Sequence, residues 1–151
     1  MQNPPPNPQG YGNQYGAPQG GGGPQGKSSL GLDANIAAAL GYIVGILAII
    51  LFFTEKENRF VRFHAIQSVI YAVAMVVLVI VLSIVSTIIT VVFASIDSSL
   101  AFIGMLFYLL ILVIWLGFFV GLILAAVKAY QGQLFKLPIV GNMAEKIANK
   151  P

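Results

Sequence analysis

A chain of 151 residues that is 58% hydrophobic and only 9% charged, with mean hydropathy +0.87, lies outside the soluble globular range, where charged residues make up about a quarter. Eight basic residues against five acidic ones leave a net charge of +3, too small and too scattered for nucleic-acid binding. The absence of cysteine excludes disulfides, thiolate catalysis and cysteine-based zinc or iron–sulfur sites.

Residues 1–29 form a tail of their own. From Gln2 to Gly26 the chain is Pro, Gly, Gln and Asn, interrupted by Tyr11, Tyr15 and Ala17. Such a segment cannot bury enough apolar surface to offset the entropy of ordering, so a disordered tail is expected. It lacks the basic start and short apolar region of a secretory signal. Its tyrosines suit partner recruitment or self-association; an uninvolved solvated tail has the same composition.

Residues 33–150 read as an all-α, polytopic membrane domain. Three nearly uncharged runs, at about 35–53, 65–93 and 100–127, each reach the roughly 18 apolar residues of a membrane-spanning helix. Asp33 is placed to cap the first, which stops at the polar connector Thr54–Asn58. The second exceeds the roughly 30 Å hydrocarbon core and has to tilt or project from it. A polar turn, Ser95–Ser99, leads into the third, which ends near Lys128. Gly132 suits a helix end and Pro138 blocks resumption. Asn142 and Glu145 have capping-box spacing for a short interfacial helix, Met143–Asn149.

Orientation follows from the basic residues near the spans. Lys56, Arg59 and Arg62 lie in the first connector, and Lys128, Lys136, Lys146 and Lys150 in the C-terminal segment; the second connector has only Asp97. Three spans put both basic clusters in the cytoplasm and the N-terminal tail outside a multi-pass cell-membrane protein. A re-entrant first run would keep the tail inside.

Small residues recur at helical spacing. Gly41 and Gly45, with Ala37 and Ala48, line one stripe of the first run; Gly117 and Gly121, with Ala125 and Ala129, line another in the third. Ser83, Ser86, Thr87 and Thr90 share one face of the second. Lipid provides no hydrophobic drive between helices, so these are the expected packing faces, within one subunit or between copies. A hydroxyl-lined path for a polar solute has the same pattern.

The densest polar cluster opens the second run. His64, Gln67, Ser68 and Tyr71 share one helical face, and Arg59 and Arg62 precede it beside Phe60 and Phe63. With Tyr130 and Lys136, these residues suit contact with anionic headgroups or a partner protein, the phenylalanines embedding in the acyl boundary. Structural anchoring, with His64, Gln67 and Ser68 bonding nearby backbone, fits the same spacing. The segment around Pro138 is expected to fold back over the His64 face, because both lie on one side of the membrane.

Phe60–Ser68, and Ala129–Gly132 followed by Lys136–Gly141, resemble the two signature segments of a small prokaryotic membrane family, domain of unknown function 4870, itself similar to the chloroplast inner-envelope import component Tic twenty. The likeness covers about Asp33 to Ile147. It implies a helical integral membrane protein with no catalytic residues to carry over.

No enzyme is expected. The single histidine has no second histidine, cysteine or membrane-embedded acid to complete a metal site or nucleophile–base pair, and no cofactor-binding motif occurs. The expected role is a structural or interaction subunit in the bilayer, associating with itself or with a membrane-protein partner. A translocation component using the Ser83–Thr90 face is the alternative.

Overall fold

The computed structural model describes residues 26–149; most of the tail, and Lys150, lie outside them. Among the described residues the elements are helical: α1 (Ala34–Ile43), α2 (Gly45–Thr54), α3 (Arg59–Ile96), a single 3-10 turn (Ser98–Ala101), α4 (Phe102–Tyr130) and α5 (Val140–Ala148). The stretches Arg59–Ile96 and Ser98–Tyr130 are long and apolar enough to cross a membrane. At 1.5 Å per residue, α3 is about 57 Å long, so it exceeds the hydrocarbon thickness even when tilted.

The first run departs from expectation. One helix over 35–53 would place its two ends about 28 Å apart. The chain instead breaks at Val44, whose backbone is extended at φ −110° and ψ 92°, and returns as α2. Helices α1 and α2 have ten residues each, too few to cross a bilayer singly. Their outer ends meet. The Ser29 hydroxyl lies 3.1 Å from that of Thr54, and the Ser29 N–H donates to the Glu55 carboxylate at 2.6 Å. Asn58 Nδ2 adds a 3.5 Å bond to the Lys27 carbonyl. The run is therefore a helical hairpin, open at the end where the N-terminal tail and the first connector sit together. Of the tail, only residues 26–29 are described, and they lie beside that connector.

Antiparallel α3 and α4 meet along a seam of small and hydroxyl residues. Ser86 Oγ donates to the Gly104 carbonyl at 3.4 Å, and Thr87 and Tyr108 hydroxyls lie 2.9 Å apart. Gly104 lies so close to Thr90 that a Cβ there would collide with the threonine side chain. Further along, the Tyr71 hydroxyl donates to the Phe118 carbonyl at 3.0 Å and rests on Gly121. Gly45 and Gly117, expected in packing faces, are exposed with open space beside them. Only Gly41 of the first pair packs, its backbone approached by Ala48.

The core sits at one end of the long pair. Ala37, Ala38 and Tyr42 of the hairpin meet Val61, Ala65 and Tyr71 of α3 and Ala125 and Ala129 of α4. Phe63 and Ile66 close on Ala144 and Ala148 of α5. Beyond Tyr71 toward the Asp97 turn, α3 buries only Ser86.

Helix ends follow local chemistry. Asn58 caps α3 by accepting from the Phe60 and Val61 N–H groups at 3.2 and 3.3 Å. Asp33 precedes α1 as expected, although its side chain makes no capping bond. Gly132, at φ 74°, ends α4 in a Schellman arrangement: Gln133 N–H donates to the Lys128 carbonyl and Gly132 N–H to that of Ala129, both at 2.9 Å. Helix α5 begins at Val140, before the expected Met143, so Asn142 lies inside it and caps nothing.

Candidate functional site at the basic end

The seven basic residues in the described range cluster where the hairpin opens, α3 starts and α4 ends; the opposite turn carries only Asp97. Inside this end lies a polar network. Gln67 has no exposed surface, and its amide is fully engaged: Nε2 donates to the Tyr42 hydroxyl at 2.7 Å and to the Phe135 carbonyl at 3.0 Å, while Oε1 accepts from Leu137 N–H at 3.2 Å. One side chain thus joins α1, α3 and the segment before α5.

The Tyr42 hydroxyl, which accepts from Gln67, lies 3.0 Å from His64 Nδ1. If the phenol donates there, neutral His64 carries its proton on Nε2, which is buried and reaches no hydrogen-bond partner, although the Gln133 backbone lies close to the ring. Phe60, Phe63 and Tyr42 pack edge-on around the imidazole, at centroid distances of 4.6, 5.0 and 5.7 Å. Ser68 Oγ donates to the Gly41 carbonyl at 2.8 Å. Bonds of this kind satisfy polar groups that neither lipid nor water would reach.

The sequence-predicted contacts therefore divide. His64, Gln67 and Ser68 face inward and do not touch headgroups, because each is buried against the hairpin or the segment before α5. Phe60 and Phe63 pack on His64 and not in the acyl boundary. The fold-back of residues 133–137 over the His64 face is present, held by Gln67. Arg59 and Tyr130 are exposed, Arg62 is half-buried, and Lys136 pairs with Glu145 at 2.8 Å. Along the hydroxyl face, Thr87 and Thr90 donate to their own helix at Ser83 and Ser86, at 2.9 and 2.8 Å.

Two contributors were hidden in the sequence. Tyr42 sits in an apolar run, where only the need of a buried phenol for a partner marks it. Glu55, set in a charged connector, is buried and accepts from the Ser29 and Asn58 N–H groups at 2.6 and 3.0 Å. No group of three or more His, Asp or Glu among the described residues is arranged to hold a metal ion.

Residues 29–144 match the magnetosome magnetite crystal formation protein family, the whole of the hairpin, α3 and α4 and the first five residues of α5. The chain belongs to this family. That match overturns the resemblance to domain of unknown function 4870 and to Tic twenty, because it takes in both segments on which the resemblance rested. Family relatives include a UPF0132 membrane protein of Methanocaldococcus jannaschii, 38% identical over 122 residues, covering 80% of this chain and 94% of the relative. A UPF0132 membrane protein of Archaeoglobus fulgidus is 37% identical over 116 residues, covering 76% of this chain and 95% of the relative. No solved structure matches.

Proposed function

We propose that the chain is a small multi-pass subunit of the cell membrane that works by association, with itself or with another membrane complex, and carries no catalysis of its own. One observation carries this reading. The buried polar side chains at the basic end bond mainly to one another and to backbone, whereas the mid-helix faces of α3 and α4 present exposed Val76, Ile80, Ile84, Leu112 and Val120. Faces of this kind meet lipid or another apolar helix.

In the proposed topology α3 and α4 cross the bilayer and the α1–α2 hairpin dips into one leaflet without completing a third span. The basic end then lies in the cytoplasm with the tail, the first connector and α5, as the distribution of Lys and Arg favours. The membrane-protein relatives support the bilayer itself. Membership of a magnetosome magnetite crystal formation family suggests a part in forming a mineral. Of the five acids, Glu55 is buried, Glu145 is paired with Lys136, and Asp33, Glu57 and Asp97 are exposed, but no three His, Asp or Glu among the described residues are grouped to hold a metal ion. A role in organising the membrane or a complex fits the residues better. The hydroxyl-lined path has little to stand on, since Ser86, Thr87 and Thr90 are engaged along the α3–α4 seam.

The deciding measurement is crosslinking and mass determination of the tagged full chain purified in mild detergent. A defined oligomer or a reproducible membrane partner is expected; a lone monomer at every detergent and lipid condition rejects the reading.

A further inference from the structure

The turn before α5 holds an outlier. Ile139 has φ 67° and ψ −57°, and the Val140 N–H closes onto the Pro138 carbonyl at 2.7 Å. This is the strained, positive-φ γ-turn, which a β-branched side chain tolerates badly and glycine would enter freely. Nothing inside the molecule rewards the isoleucine, whose surface is 81% exposed. Met143 and Ile147, one turn apart on α5, share a face of that helix and are also exposed, at 49% and 37%. Helix α5 turns Val140, Ala144 and Ala148 inward and leaves Met143 and Ile147 outward, more large apolar surface than a helix bathed in water presents.

The surroundings name the medium. Arg59 and Arg62 lie one turn before Phe63 and Ile66, the residues on which α5 packs, and Lys146 is exposed on α5 itself. None of these three has an ion-pair partner among the described residues. We propose that this face of α5 is seated in the headgroup layer of an anionic leaflet, with Ile139, Met143 and Ile147 in the acyl boundary and Arg59, Arg62 and Lys146 on lipid phosphates. The inference rests on the membrane reading above and adds a lipid class and a binding face to it. The strained turn drives one more apolar side chain into the boundary than the helix alone would supply.

Tryptophan quenching tests this on the full chain in nanodiscs of equal phosphatidylglycerol and phosphatidylcholine, with bromine near the glycerol end of one lipid at a time. Met143→Trp in a Trp115→Phe background reports α5, while native Trp115 on α4 reports the span through deep-brominated lipid. Position 143 should emit at short wavelength and lose most of its emission to brominated phosphatidylglycerol, and much less to brominated phosphatidylcholine. Arg59→Gln, Arg62→Gln and Lys146→Gln together should bring the two losses to parity. Water-like, unquenched emission at 143, as a face left in solvent or covered by protein would give, overturns the inference, and so does equal loss to both lipids before the charges are removed. If Trp115 also escapes the deep bromines, it is the membrane reading that fails.

Discussion

Replacing Gln67 by leucine removes all three bonds of its amide and strands the Leu137 N–H and Phe135 carbonyl. A destabilisation of about 2–4 kcal/mol is expected from unpaired buried groups. It should be read as a lower thermal midpoint in detergent and faster trypsin cleavage at Lys136. Gly141→Ala acts on the same joint: a Cβ would meet Lys136 Cβ at 2.6 Å and Gln67 Oε1 at 2.9 Å, costing about 1–3 kcal/mol on the same assay. Ile139→Gly should do the opposite, raising the midpoint by relief of about 1 kcal/mol of backbone strain while weakening the lipid contact. The spacing of His64, Gln67, Ser68 and Tyr71 was legible as one face. What that face meets was not, because helical periodicity groups side chains without saying whether they look toward lipid or toward the hairpin. Tyr42, its central acceptor, left no periodic trace in an apolar run.

At the scale of elements, hydropathy identified α3 and α4 with their polar turn but read the hairpin as a single span. A run of 19 apolar residues has the same composition whether it crosses once or folds at its middle. Gly41 and Gly45, which flank the break at Val44, carry the helix-packing spacing that disguised it. The chain has no cysteine, so Ser29→Cys with Thr54→Cys gives a clean test. Their hydroxyls are 3.1 Å apart, and the pair should form a disulfide when isolated membranes are treated with a mild thiol oxidant; a straight first span would leave both thiols free. Along the α3–α4 seam, Gly104→Ala should destabilise the pair through its collision with Thr90, whereas Gly117→Ala, with open space beside it, should leave the midpoint unchanged. The Asp97 turn is pH-dependent in a definite direction. The Ser99 N–H, with a further contribution from its hydroxyl, holds the Asp97 carboxyl below the usual carboxylate range. The cap is therefore complete above the unfolded pKa and is lost as pH falls through the folded one, which amide exchange at Ser99 would record.

For the whole molecule, one expectation concerns sidedness. Single cysteines placed at Lys27, Lys56 and Lys146 should react with an impermeant maleimide from the same side of intact cells or inverted vesicles, and one at Ser99 from the other. Labelling of Lys27→Cys with Ser99→Cys would restore a third crossing. A consequence of shape follows from the hairpin. Where it inserts, the protein is four or five helices across; near the Asp97 turn it is two. In the proposed topology such a wedge would displace more lipid from one monolayer than from the other, and bending the bilayer toward its narrow side would relieve the mismatch. Tubules drawn from giant vesicles should then be enriched in the protein when the broad end faces the convex surface, and depleted when it is reconstituted the other way round.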